Sequence, residues 1–182
     1  MIEIIKDILP TAINKKILFY LANNLNWRIA KDYESDQKLV EDLLGPNGKN
    51  SGFSSETYNE FHKINLNTPL NLYAEIIYEI IKNKTKYKFI KPTRFIWNYY
   101  CSNSETHLHK DNTTNNYVSF VYCLNENNGG TEIDGKFIHY KEGEALIFPS
   151  NISHRGISAT DVKSRFNLNS VIEIEGTNGT KS

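Results

Sequence analysis

Five histidines are candidate carriers of chemistry: His62, His107, His109, His139 and His154. The densest cluster is Thr106-His107-Leu108-His109-Lys110-Asp111. In an extended strand alternate side chains share a face, so His109 and Asp111 are expected to point the same way, about 7 Å apart along the backbone. An imidazole and a carboxylate on one face are two metal ligands. His154, which follows Asp111 by 43 residues in Pro149-Ser150-Asn151-Ile152-Ser153-His154-Arg155-Gly156, is the natural third. Two imidazoles and one carboxylate on one face of an ion suit Fe(II) and leave coordination positions open. His107 shares the parity of His109, so a His107, His109, His154 set is the alternative. On the first reading His107 lies behind the ligands or lines the substrate pocket. His62 and His139 are expected at the surface.

Arg165 follows His154 by eleven residues, at the start of an apolar run. An unpaired charge inside a β core is costly, and a planar guanidinium binds a carboxylate bidentately. An Arg in that position is therefore expected to face an anionic ligand. The bland alternative is an exposed Arg165 paired with Asp161 or Glu144.

These residues need a scaffold. Met1–Ile5 reads as a short strand. Pro10 marks a helix start, and Ile13, Ile17, Leu18, Leu21 and Leu25 follow at helical spacing. A second helix opens near Pro69, with Tyr73, Ile76, Ile77, Ile80 and Ile81 as its apolar stripe and Lys82 and Lys84 at its end. Between them residues 32–68 are polar and rich in turn residues, the pattern of a lid or binding loop. From Lys86 onward short β runs alternate with turns: Phe89–Ile90, Arg94–Cys101, Tyr117–Leu124, Thr131–Ile133, Lys136–Tyr140, Ala145–Phe148 and Arg165–Ile174. Asn127-Asn128-Gly129-Gly130 and Asp134-Gly135 punctuate them. The spacing predicts a sandwich or barrel with helices packed on it.

The chain has 182 residues, which fits one domain over 1–182: helical support with a variable loop over 1–85, a β core over 86–174 and a flexible tail over 175–182. Lys plus Arg and Asp plus Glu are 21 each, which argues against nucleic-acid binding by bulk charge. No apolar run approaches the ~20 residues of a membrane span. The charged start, with Glu3, Lys6 and Asp7, does not read as a signal peptide. Two cysteines make no disulfide framework, so a cytoplasmic location is expected.

In order and spacing, Arg94 to Ile174 resembles the core of the 2-oxoglutarate/Fe(II)-dependent oxygenases, in particular the prolyl-hydroxylase-like branch. Trp97-Asn98-Tyr99-Tyr100 precedes the His-x-Asp of His109 and Asp111. Leu124-Asn125, Gly129-Gly130-Thr131-Glu132 and Gly143-Glu144-Ala145-Leu146-Ile147-Phe148-Pro149 then lead to His154 and Arg165. The resemblance implies an α+β, mainly β fold, a double-stranded β-helix (jelly roll) with N-terminal supporting helices. It implies Fe(II) held by His109, Asp111 and His154, with 2-oxoglutarate as cosubstrate held by Arg165. Tyr100, Asn98 and Asn167 would contact cosubstrate or substrate. O2 is the co-reactant, and ascorbate an auxiliary reductant. The reaction implied is hydroxylation of a protein or peptide, prolyl included, or of a small molecule, with release of succinate and CO2. Halogenating relatives carry a small residue where Asp111 stands, so hydroxylation is the expectation. One departure concerns Cys123, where the branch has a tyrosine assisting the arginine, and Tyr100 or Ser119 are the expected replacements. The alternatives are a cupin-like metal isomerase or dioxygenase that does not use 2-oxoglutarate, and a non-catalytic jelly-roll binding module.

Overall fold

The computed structural model describes residues 1–24, 28–29, 52–102 and 106–176. Leu25, most of the expected 32–68 loop and the tail beyond Gly176 lie outside them. The first strand, β1 (Glu3–Ile5), leads to helix α1 (Thr11–Asn24), and β2 (Arg28–Ile29), β3 (Phe53–Asn59) and β4 (Ile64–Asn65) follow. Helix α2 (Pro69–Lys84) precedes the long strand β5 (Phe89–Cys101). The remainder is all β: β6 (Tyr117–Cys123), β7 (Gly130–Ile133), β8 (Lys136–His139), β9 (Ala145–Pro149), β10 (His154–Ile157) and β11 (Ser164–Ile174).

The larger sheet runs β1-β9-β6-β11-β5-β3-β2, with β4 beside β3, and the smaller runs β10-β7-β8. Neighbouring strands are antiparallel throughout. The fold is mainly β, with a jelly-roll core and helices on one side.

Period-two alternation divides the large sheet into two faces. Phe95 and Trp97 of β5, Phe120 and Tyr122 of β6, Ile147 of β9 and Leu168 of β11 pack against Ile17 and Leu21 of α1 and Ala74, Ile77 and Ile81 of α2. Full burial of an apolar side chain of this size contributes about 1.5–3 kcal/mol. The opposite face carries Val121, Cys123, Leu146 and Phe148, which meet Ile133 and Tyr140 from the small sheet and its edge. Because β6 is covered on both faces, it reads as the unbroken run Tyr-Val-Ser-Phe-Val-Tyr-Cys.

Local signals set the ends of the elements. Pro10 sits one residue before α1, its carbonyl accepting from the Ile13 and Asn14 N–H groups. Thr68 caps α2 through its side chain and Pro69 takes the first helical position. The buried stripe of α2 is Leu70, Ala74, Ile77, Tyr78 and Ile81, rotated from the expected one, so that Ile76 lies exposed. Asp134 and Gly135 both have positive φ, as a two-residue hairpin requires, and join β7 to β8.

Three expectations need correction. Residues 53–59, assigned to the loop, form β3, paired to β5 along most of its length. Phe89–Ile90 and Arg94–Cys101 are one strand, with Pro92 tolerated because β3 pairing begins only at Arg94 and β11 has a register shift opposite. His154 opens a strand, β10, where none was expected.

Candidate metal centre

His109, Asp111 and His154 converge, with their ligand atoms all within 4.8 Å of one another. The means differs from the sequence expectation. His109 lies outside any strand and makes a single antiparallel bridge with His154: its N–H donates to the His154 carbonyl at 2.9 Å, and its carbonyl accepts from the His154 N–H at 2.8 Å. Asp111 follows in a turn, and Asn112 N–H donates to the Ser150 carbonyl at 3.1 Å. His109 Nε2 is 3.7 Å from Asp111 Oδ1, and His154 Nε2 is 3.4 Å from Asp111 Oδ2.

Both imidazoles are aimed. His109 Nδ1 lies 2.8 Å from the His107 carbonyl and His154 Nδ1 lies 3.0 Å from the Ile152 carbonyl. A carbonyl only accepts, so each Nδ1 carries a proton and each Nε2 is turned toward Asp111. Such orientation by a carbonyl is what metal-binding histidines require. Phe148 packs edge-on against His154 at 4.6 Å. His107 is exposed and outside the cluster, contributing its backbone carbonyl, and the three-histidine alternative is not assembled. His62 and His139 are exposed.

Asp111 is buried, and both its oxygens are engaged. Ser119 Oγ donates to Oδ2 at 2.6 Å, while Arg94 donates to Oδ1. Since Ser119 has one proton to give, the 2.8 Å contact with Ser150 is donated by Ser150. Burial alone would raise the Asp111 pKa, but the Arg94 guanidinium and then the His154 interaction outweigh it and hold the carboxyl well below the usual range.

Arg165 lies on the same inner face of the large sheet, 1% exposed. It donates to Tyr140 Oη and, at 3.3 Å, to the Ile157 carbonyl. Its guanidinium carbon lies 5.5 Å from the ring centroids of both Tyr100 and Tyr140. No carboxylate among the described residues pairs with it, and its Nε is buried without a partner. The exposed alternative fails because Arg165 is buried, while Asp161 and Glu144 accept from the Asn128 and Lys141 N–H groups. Asn98 and Asn167, opposite each other on β5 and β11, share a 3.0 Å hydrogen bond beside Tyr100.

Of the two residues offered for the Cys123 vacancy, Ser119 serves Asp111 instead, and Tyr100 presents its ring rather than its hydroxyl to Arg165. Tyr140 supplies the phenol. Sequence reasoning missed both Tyr140 and Arg94. The available signal was parity: Arg94, Ile96, Asn98 and Tyr100 alternate on one face, as Ile138 and Tyr140 do.

The residues present fit an iron ion and a dicarboxylate cosubstrate: two oriented imidazoles, an ionised carboxylate, and a buried arginine with an unused donor. No protein-family model matches the chain, and no curated protein matches its sequence. Solved structures do match. A Pseudomonas putida prolyl-4-hydroxylase is 13% identical, with a TM-score of 0.59, covering 96% of this chain and 93% of that one. A Trichoplax adhaerens prolyl hydroxylase, solved with a hypoxia inducible factor peptide fragment, is 12% identical, with a TM-score of 0.61, covering 94% and 83%. The epimerase SnoN, solved with Fe3+, alpha-ketoglutarate and nogalamycin RO, is 9% identical, with a TM-score of 0.63, covering 94% and 78%. The fold of this chain is that of the 2-oxoglutarate/Fe(II)-dependent oxygenases, with prolyl hydroxylases among the structures that share it.

Proposed function

We propose that this protein is a 2-oxoglutarate-dependent Fe(II) dioxygenase that hydroxylates a peptide, prolyl included, or a small molecule, releasing succinate and CO2. The observation that carries the reading is Arg165, a buried cation without an acidic partner among the described residues, on the same inner face that leads to the His109, Asp111, His154 cluster. Such an arginine needs an anion to complete its environment.

His109 Nε2, Asp111 and His154 Nε2 would hold Fe(II), and Arg165 would hold the distal carboxylate of 2-oxoglutarate. Bound together with O2, iron and cosubstrate supply the oxidising chemistry. The protein contributes position and exclusion of water. The His107 and Ile152 carbonyls keep Nδ1 protonated and Nε2 directed inward. Ser119, backed by Ser150, fixes one oxygen of Asp111. Tyr140, braced by Thr131 at 3.0 Å, turns the guanidinium. The Tyr100 ring and the Asn98–Asn167 pair line the face beside it and complete the cosubstrate pocket. Ascorbate would act as an external reductant.

Cys123 is a free, buried thiol, and no helix among the described residues is long and apolar enough to cross a membrane. A reducing cytoplasm suits both facts. Peptide and small-molecule substrates both suit the reading, since the matched prolyl hydroxylase was solved with a peptide and SnoN with a small molecule. The test is succinate formation from 2-oxoglutarate by the purified protein with Fe(II), O2 and ascorbate. Slow substrate-free turnover that Asp111→Ala and Arg165→Ala each abolish supports the reading. Equal succinate from wild type and both variants contradicts it.

A further inference from the structure

Arg94 stands where a metal-binding carboxylate is least expected to have company. Its guanidinium donates to Asp111 Oδ1 and, at 3.2 Å, to Asn169 Oδ1 from the neighbouring strand. The Arg94 carbonyl accepts from Ser170 Oγ at 2.8 Å, which ties the backbone of this residue to the same strand. The Arg94 side chain is 27% exposed against 2% for Asp111, so water screens the pair only partly. Each imidazole is tied through Nδ1 to a backbone carbonyl, which leaves its Nε2 facing Asp111. Asp111 and Arg94 form a contacting ion pair, and their two charges cancel.

That balance has opposite consequences for two ligands. A divalent cation must share Asp111 with a guanidinium already touching it, and the positive charge of Arg94 opposes its arrival. An anion arriving at the loaded metal gains from the same charge. The inner face already carries a second cation, Arg165, and no acidic group among the described residues is paired with that one. The face therefore offers two guanidiniums to one buried carboxylate, a distribution that favours a dianionic ligand over a bare cation.

We propose that Arg94 is a positioning residue that sets the charge of the metal centre, weakening binding of the metal alone and strengthening binding of 2-oxoglutarate once the metal is in place. The proposal rests on the dioxygenase reading, and it concerns a residue outside the ligand and cosubstrate sets assigned above. General damage to the site would weaken both ligands, whereas a charge effect moves them in opposite directions.

The test is anaerobic titration with Co(II), followed by 2-oxoglutarate, read by calorimetry and by the visible absorption of Co(II). Arg94→Gln is expected to tighten Co(II) by about tenfold or more and to weaken 2-oxoglutarate by a similar factor. Arg94→Lys, which keeps the charge, is expected to stay close to wild type for both. If Arg94→Gln does not fold, Asn169→Asp neutralises the same guanidinium from its other side and is expected to shift both affinities in the same opposed senses. Unchanged affinities in Arg94→Gln, or a loss in both, would overturn the proposal while leaving the metal centre intact. No Co(II) binding by wild type would overturn the metal centre itself, and this proposal with it.

Discussion

Arg165 donates a hydrogen bond to Tyr140 Oη, and Tyr140 in turn shares a 3.0 Å bond with Thr131 Oγ1. The phenol thus reaches the arginine from the loop after β8, although the nearest tyrosine position in the related pattern is occupied here by Cys123. Removing the hydroxyl tests its part in orienting the guanidinium. Tyr140→Phe is expected to weaken 2-oxoglutarate by roughly tenfold, the equivalent of about 1.5 kcal/mol for one lost hydrogen bond to a charged group. Binding of Co(II) alone should be unaffected, as calorimetry of the two ligands will show.

Gly129 leaves no room for a side chain next to Arg165. A Cβ there would stand 2.8 Å from the Ile157 carbonyl oxygen and 2.9 Å from Arg165 Cδ. The Ile157 carbonyl is itself an acceptor for Arg165, so relief of the clash moves the arginine's own support. Gly129→Ala is expected to cost about 1–3 kcal/mol in stability and to weaken 2-oxoglutarate more than the metal. Denaturant unfolding and ligand titration check the two parts.

Ser119 acts beside Asp111, away from Arg165. Ser119→Ala removes the 2.6 Å bond to Asp111 and deprives Ser150 of its acceptor. Loss of a group that orients a metal ligand typically costs 10–100-fold in affinity. A loss of about that size is expected for Co(II), with the secondary structure intact by circular dichroism.

Alkaline stability follows from buried phenols. Burial, only partly offset by the charge of Arg165, pushes Tyr140 up to about 12 from its ordinary 10. Tyr122 is raised above that range by burial, against the pull of its hydrogen bond to Asn14. Both stay protonated in the folded chain while the unfolded chain has begun to ionise, so the unfolded state binds fewer protons above pH 10 and stability falls with pH. This stabilisation is complete below pH 10, and is lost as the pH rises through about 12. Denaturant midpoints at stepped alkaline pH should decline in this window, and less so in Tyr140→Phe.

The sequence carried much of the core because β6, β9 and β11 bury continuous or alternating apolar residues, and because turn pairs such as Asp134-Gly135 have few other uses. It failed at β3, whose buried positions are Ser55, Thr57 and Asn59, polar residues that leave no hydrophobic alternation to read. It failed at β10, four residues with a glycine held by pairing to β7. Histidine, aspartate and arginine types and order indicated His109, Asp111, His154 and Arg165. Arg94 and Tyr140 were hidden because their partners, Asp111 and Arg165, are fixed by folding rather than by local spacing.

Metal and 2-oxoglutarate must bind together on one inner face for this chemistry. Anaerobic titration of the protein with Fe(II) and then 2-oxoglutarate, followed by visible absorption, tests this directly. A weak charge-transfer band is expected in wild type, abolished by Asp111→Ala and weakened by Arg165→Ala. Bound Fe(II) without a band, with Arg165→Ala indistinguishable from wild type, would contradict it.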